Sequence, residues 1–240
     1  MFGLFSKKNI PILKVDIHSH LIPNIDDGSK SLDESLILLE GMQNLGYEKV
    51  ITTPHIMFDS YKNTPNIINS RLNTLRKVSL DEGLNIQIEA SAEYYIDEGF
   101  ENIINNREFL PIQNKYILLE TSYISKPMQL EETIFAITTL GYIPILAHPE
   151  RYMYIKNLSL EYTRLKELGV LFQIDLNSLI GYYGKSAKSK VEFLSNNGMI
   201  DFLGSDVHNV KQLKLLSKVF QSKVYRSIFD KNNIMNNALL

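Results

Sequence analysis

The chain has 240 residues, 44% of them apolar, and a net charge of −2. That is ample material for one sizeable core, and the charge gives no electrostatic reason to expect nucleic acid as a partner. Cysteine is absent, which excludes disulfide scaffolding, cysteine zinc sites and a phosphatase with a cysteine nucleophile.

The opening Met1-Phe2-Gly3-Leu4-Phe5-Ser6-Lys7-Lys8 is apolar first and basic second, the reverse of a secretory signal. Residues 1–13 read as an N-terminal extension with a frayed end. Contact of its phenylalanines and lysines with a membrane or partner surface is the other reading. No run approaches the ~20 apolar residues of a membrane span, so a cytoplasmic protein without a transmembrane segment is expected.

Ile12, Leu13 and Val15 form a short apolar lead into Asp16-Ile17-His18-Ser19-His20, followed by Asp26-Asp27-Gly28. Strand alternation puts His18 and His20 on one side where the strand gives way to a loop. Ser31-Leu32-Asp33-Glu34 is a capping box opening a helix with Leu32, Leu36 and Leu39 on one face, stopped at Gly46. Lys49 to Thr53 is a β-branched strand closed by Pro54-His55. Thr64-Pro65 supplies an N-cap and a first-turn proline for a helix carrying Ile68, Leu72 and Leu75, which ends near Gly83. Ile86 to Ala92 reads as a strand leading to Glu93, with a short helix from about Asp97 to Asn106.

Tyr116 to Leu119 is an apolar strand ending at Glu120. Leu130, Ile134 and Ile137 mark a helix stopped at Gly141, and Ile143 to Ala147 is the strand before His148. Leu158, Leu165 and Leu168 mark the next helix, and Val170 to Ile174 leads to Asp175 and Asn177. Val191 and Leu194 lie on a helix stopped by Gly198. Ile200 to Leu203 enters Gly204-Ser205-Asp206-Val207-His208. A helix from Val210 to Phe220 and a polar tail from Ser222 finish the chain.

Strand and helix thus alternate roughly seven times, as in a parallel sheet covered by helices. A closed or nearly closed β/α barrel in a single domain is expected, with an open doubly wound sheet as the alternative. All five histidines lie just past an apolar strand, and Glu93, Glu120 and Asp206 occupy the same kind of place. In a barrel those ends meet on one face. A single histidine there is more often a hydrogen-bonded structural residue than a ligand. Several crowded carboxylates, however, repel one another unless something positive holds them. His18, His20, Asp27, His55, Glu93, Glu120, His148, Asp206 and His208 are more ligands than one ion needs. They suit two or three divalent ions able to activate water and clamp a phosphate. Imidazole and carboxylate without thiolate admit manganese, iron, cobalt or zinc.

Arg151, three residues past His148, is placed to bind phosphate oxygens through its planar fork; an ion pair with Glu150 or another carboxylate is the competing reading. Tyr152, Tyr154, Tyr182 and Tyr183 either line a substrate cleft or pack on neighbouring loops. No glycine-rich phosphate loop or G-x-S-x-G elbow is present.

Asp16-Ile-His-Ser-His20, Asp26-Asp-Gly28, Thr53-Pro-His55, Ala92-Glu-Tyr94, Ala147-His-Pro-Glu-Arg151 and Gly204-Ser-Asp-Val-His208 resemble the polymerase and histidinol phosphatase (PHP) superfamily. Within it they are most similar to the bacterial tyrosine-protein phosphatases found with capsule and exopolysaccharide synthesis genes. The resemblance implies a distorted (β/α)7 TIM-like barrel over residues 14–220, with a C-terminal helix or tail over 221–240. It implies a trinuclear, often manganese-dependent site. His18, His20, Glu93 and Asp206 would hold one ion. Glu93 would bridge to a second, completed by Glu120 and His148. Asp27, His55 and His208 would hold the third. Arg151 matches the arginine that engages phosphate. A further arginine frequent after the last histidine is replaced here by Lys211 and Lys214, which lack the same fork.

The implied function is hydrolysis of phosphotyrosine in the tail of a bacterial tyrosine kinase. The rivals are a histidinol-phosphate or other small phosphomonoester hydrolase, an exonuclease disfavoured by the acidic balance, and a metal-stabilised module that only binds the kinase tail.

Overall fold

The structure is a computed structural model and describes residues 11–240. The membrane or partner contact considered for residues 1–8 lies outside the described residues. Strands β1 (Val15–Asp16), β2 (Lys49–Thr52), β3 (His55–Ile56), β4 (Gln87–Ala90), β5 (Glu93–Tyr95), β6 (Tyr116–Glu120), β7 (Ile143–Ala147), β8 (Leu171–Asp175) and β9 (Phe202–Gly204) pair only in parallel. Between them run helices α1 (Leu32–Asn44), α2 (Pro65–Asp81), α3 (Phe100–Asn106), α4 (Leu130–Thr139), α5 (Leu158–Glu167) and α6 (Gly184–Asn196). Helices α7 (Val210–Gln221) and α8 (Lys223–Lys231) follow β9. Most strands are buried on both faces; β6 is buried at every position, whereas β4 has Gln87 exposed and Glu89 half-buried. Such strands need helices on the outside and one another's side chains on the inside.

The wall is broken in two places. β2 and β3 follow one line of chain interrupted by Thr53-Pro54, and β4 and β5 are interrupted by Ser91-Ala92. Pro54 has no N–H to give a ladder. The lower halves therefore pair as β1-β2-β4, and the upper halves continue as β3-β5-β6-β7-β8-β9. The two edges meet. Ser19, past β1, bridges in parallel to Val207, past β9. The His20 N–H donates to the Val207 carbonyl at 3.0 Å, and the Asp206 N–H donates to the His18 carbonyl at 2.8 Å. The result is a distorted, seven-staved β/α barrel rather than an open doubly wound sheet.

The expected caps form. The Ser31 hydroxyl accepts from Glu34 N–H, and the Thr64 hydroxyl accepts from Ile67 N–H with Pro65 in the first turn. The buried face of α1 is Ser35, Leu38, Leu39 and Met42, so it is rotated from the expected stripe and leaves Leu32 and Leu36 half-buried. A serine pair accounts for part of this: the Ser29 and Ser35 hydroxyls meet at 2.8 Å under the first turn.

Of the helix or tail expected over 221–240, a helix forms. Ser222 caps α8, which buries Tyr225 and Ile228. A 3-10 turn over Asn236–Leu239 then closes the lower end of the barrel. The Asn236 side chain is fully buried and stands in for strand pairing across the β1–β9 seam. Its amide NH2 donates to the carbonyls of Val15 (2.9 Å) and Leu203 (2.7 Å), and its oxygen accepts from Leu203 N–H (2.9 Å). Replacing it leaves three buried backbone groups unpaired. Asn236→Ala should therefore lower stability by about 2–3 kcal/mol, read as an earlier urea unfolding midpoint with unchanged slope. An unchanged midpoint would show that the seam does not depend on this side chain.

Candidate metal centre

The upper strand ends carry the chemistry. Parallel pairing of β3 with β5 sets His55 directly beside Glu93. Glu120 ends β6, His148 follows β7, and Asp206 follows β9. His148 and Asp206 both adopt positive φ, +32° and +46°. Non-glycine residues rarely adopt this conformation, and here it turns each side chain in toward the barrel axis. Two glycines let the first loop close over the centre. A Cβ on Gly28 would lie 2.2 Å from the His20 carbonyl oxygen, and one on Gly204 would lie 2.7 Å from the His18 Cβ.

All nine candidate ligands converge. Their donor atoms form four overlapping groups, each within 4.8 Å: His20, Asp27, His55 and His208; His18, His20 and Asp206; His18, Glu93 and His148; and His55, Glu93 and Glu120. His18 Nε2 lies 3.1 Å from Glu93 Oε2 and 3.3 Å from Asp206 Oδ1. His148 Nε2 lies 3.1 Å from Glu93 Oε1. Asp27, half-exposed, faces both His55 (3.6 Å) and His208 (3.5 Å).

Three of the outer ring nitrogens are pinned, while His148 Nδ1 is buried without a hydrogen-bond partner. His18 Nδ1 meets Gln173 Oε1 at 2.7 Å, and His20 Nδ1 meets Asp26 Oδ2 at 2.7 Å. His208 Nδ1 meets the Asp206 carbonyl at 2.9 Å. Each acceptor holds a proton on Nδ1 and so turns the Nε2 lone pair inward, the usual support for a metal-binding imidazole. The Nε2 atoms of His18 and His20 face each other at 3.3 Å. When both rings are neutral with the proton on Nδ1, neither can donate to the other, and the pair meets lone pair to lone pair unless a cation or a proton lies between. His55 Nδ1 is buried without a hydrogen-bond partner although Glu93 Oε2 is 3.3 Å away. Inward lone pairs, crowded carboxylates and an orphaned ring nitrogen all fit divalent cations.

The charge balance says the same. Burial works against a proton on His18, but Glu93 and Asp206 outweigh it and raise its pKa to about 9. Burial and Arg151 lower His148 to about 4. Burial and the neighbouring Glu93 push Glu120 well above the usual carboxylate range, and burial with Asp206 does the same to Asp175. Protons are thus held at His18, Glu120 and Asp175, where carboxylates crowd together, and shed at His148, where burial and Arg151 weigh against charge.

Arg151 stands at the rim. Its Nη1 donates to Asp206 Oδ2 at 2.6 Å and lies 3.7 Å from Asp175 Oδ2. It therefore pairs with these carboxylates and not with Glu150, which is buried and accepts from the Ser178 hydroxyl at 2.7 Å. Its guanidinium carbon is 4.1 Å from the Tyr183 ring centre and 4.7 Å from that of Tyr123. Tyr123 also donates its hydroxyl to Glu120 Oε1 at 2.8 Å. Tyr152 is a core residue whose hydroxyl accepts from Thr121 N–H, and Tyr154 stacks on it. Tyr182 is exposed. Lys211 and Lys214 are exposed on α7, and among the described residues neither pairs with the cluster. Asp26, Gln173, Asp175 and Tyr123 were not singled out by sequence. Asp26 carried a signal as the first half of an Asp-Asp pair, and Asp175 carried one as the carboxylate at the end of the Val170 to Ile174 strand.

A family model described as capsular polysaccharide synthesis, CpsB/CapC, matches residues 14–233. The chain belongs to the CpsB/CapC family. Among relatives, tyrosine-protein phosphatase YwqE of Bacillus subtilis (strain 168) is 34% identical over 199 residues, 82% of this chain and 78% of that protein. A chain from the crystal structures of YwqE from Bacillus subtilis and CpsB from Streptococcus pneumoniae, metal-dependent tyrosine phosphatases, matches with a TM-score of 0.78 at 29% identity. That match covers 90% of this chain and 91% of the other. An amidohydrolase from Mycoplasma synoviae shares the barrel at 13% identity, with a TM-score of 0.53 over 94% of this chain and 87% of its own. That likeness concerns fold alone. The CpsB/CapC match includes every strand end that bears a candidate ligand.

Asp26→Ala removes the acceptor that orients His20. Divalent-metal affinity should fall roughly 10–100-fold in a direct titration, with the fold retained by circular dichroism. Metal-free protein should also lose stability as pH rises. His18 has a folded pKa of about 9 against an ordinary 6.5. Its contribution is complete below the lower value and disappears through the higher. Thermal melts of chelated protein across this window should shift downward; a flat or rising trend would contradict the charge balance.

Proposed function

We propose that the protein is a metal-dependent protein-tyrosine phosphatase. Its substrate on this reading is the phosphotyrosine-containing tail of a bacterial tyrosine kinase of capsule or exopolysaccharide synthesis, met in the cytoplasm. The observation that carries the reading is the inward-facing set of five imidazoles and four carboxylates, with Arg151 at its rim. The named activity of the relatives supports the substrate class. Among the described residues no helix is long and apolar enough to cross a membrane.

Two or three divalent ions would be held, with manganese the first choice. His18, His20, Glu93 and Asp206 would hold one. Glu93 would be shared with a second, completed by Glu120 and His148. Asp27, His55 and His208 would hold the third. Such ions, when bound, supply Lewis-acid stabilisation of phosphoryl oxygens and lower the pKa of water. The chain's own part is positioning. Arg151, kept flat between Tyr123 and Tyr183, presents the remaining donors of its fork to two phosphate oxygens and offsets the charge that spreads over them in the transition state. Tyr123, through its hydroxyl on Glu120, ties the phosphate-binding arginine to the ligand cluster. Tyrosinate leaves comparatively easily, since the phenol pKa is about 10.

Exhaustive chelation should abolish hydrolysis of a phosphotyrosyl peptide, and added manganese should restore it. Turnover on the peptide should exceed that on histidinol phosphate, and labelled single-stranded DNA should stay intact. Full activity after chelation would overturn the proposal. Faster turnover of histidinol phosphate would move the assignment to small phosphomonoesters. A wild type without turnover, alongside a His55→Ala variant that binds the kinase tail normally, would favour a binding module.

A further inference from the structure

We propose that the groove running from Arg151 between the turn after β7 and helix α6 binds the polypeptide flanking the phosphotyrosine, and that Lys156 and Lys190 in it select an acidic flank. The inference rests on the phosphatase reading and adds a substrate preference to it. The groove has a volume of about 670 Å³ and is lined by Arg151, Tyr183, Met153, Ile155, Lys156 and Lys190, among others. That is within the range of clefts that bury a ligand of substantial size. It is continuous with the metal centre, because Arg151 and Tyr183 belong to both. A phosphotyrosine engaged by Arg151 would lead its own backbone into this channel.

The lining matches a peptide with apolar and acidic character. Ile155 is buried beneath the groove, and Met153 is largely exposed within it, a flexible thioether able to adapt to varied side chains. The Lys190 ammonium donates to the Tyr152 carbonyl. Burial and the nearby Lys156 ammonium lower its pKa against the pull of Glu161 and Glu150, and both lysines line one end of the groove. Two neighbouring acids, Glu150 and Glu161, direct carboxylate oxygens to backbone and hydroxyl donors rather than to either lysine ammonium. Glu150 accepts from the Ser178 hydroxyl and the Asp175 N–H. Glu161 Oε1 accepts from the backbone N–H groups of Lys156 and Asn157. The exposed Lys156 ammonium, with Lys190 buried behind it, is the cationic group in the groove that a substrate carboxylate would complement.

Lys156 is exposed and lies outside the ligand set, so it can be changed without touching the chemistry. The manganese-loaded full chain would be assayed on three substrates. They are a phosphotyrosyl peptide with glutamates beside the tyrosine, the same peptide with serines there, and para-nitrophenyl phosphate. Lys156→Ala should raise KM for the acidic peptide about fivefold, and Lys156→Glu should raise it further. Both should leave kcat, and KM for the other two substrates, within about twofold of wild type. Unchanged KM for the acidic peptide, or an equal rise on all three substrates, would overturn the proposal. A change in the sedimentation of the protein alone, with peptide KM unaltered, would make the groove an interface between copies and also overturn it. Absence of any turnover by wild type would instead sink the phosphatase reading. Anisotropy of the labelled acidic peptide with wild type and Lys156→Glu would then still decide whether the groove binds it.

Discussion

Mutual repulsion among buried carboxylates is the constraint on which this structure turns. Glu93, Glu120 and Asp206 are buried together near the barrel axis, with Asp26 and Asp175 just behind them. A carboxylate removed from water demands a counter-charge or a proton. Arg151 supplies one positive charge, from the rim. The histidines answer only in part: His18 and His20 hold protons tightly, while His55 and His148 are driven toward the neutral form. A cluster of this composition is suited to bound cations, which would supply the missing charge and displace those protons.

The barrel is the means of holding such a cluster together. Each stave delivers one or two groups, and parallel pairing puts their delivery points at one end. The breaks in the wall serve the same end. Pro54 and the Ser91-Ala92 step let β3 and β5 shift away from β1, so that His55 and Glu93 sit as direct neighbours above the opening. Positive φ at His148 and Asp206 stores local strain in the turns that aim those side chains. The surrounding contacts hold these turns in place, including the hydrogen bond from Asp206 N–H to the His18 carbonyl across the seam.

Behind the candidate ligands lies a layer that sets their direction. Asp26 is the most connected member: it receives the His20 ring, the Gly28 N–H and the His55 N–H. One side chain thus orients one imidazole, closes the turn that contains Asp27, and fixes the start of β3. Gln173 does similar work for His18 from inside β8, where Gly204 leaves room for it. Tyr123 and Tyr183 play the corresponding part for Arg151, by stacking rather than by hydrogen bonding.

The sequence alone determined the alternation of strands and helices, the caps at Ser31 and Thr64, and the placement of His, Asp and Glu at strand ends. These are local properties: hydrophobic period, turn chemistry and residue type act within a few positions of one another. Tertiary structure alone decided which face of α1 is buried, that Asp26 supports His20 while Asp27 faces His55 and His208, and that Arg151 meets Asp206 and Asp175 rather than Glu150. It also turned the polar stretch after Ser222 into a seal, with Asn236 spanning the β1–β9 seam. Each of these depends on groups brought together from distant parts of the chain, and no short-range pattern encodes which buried polar atom another will find.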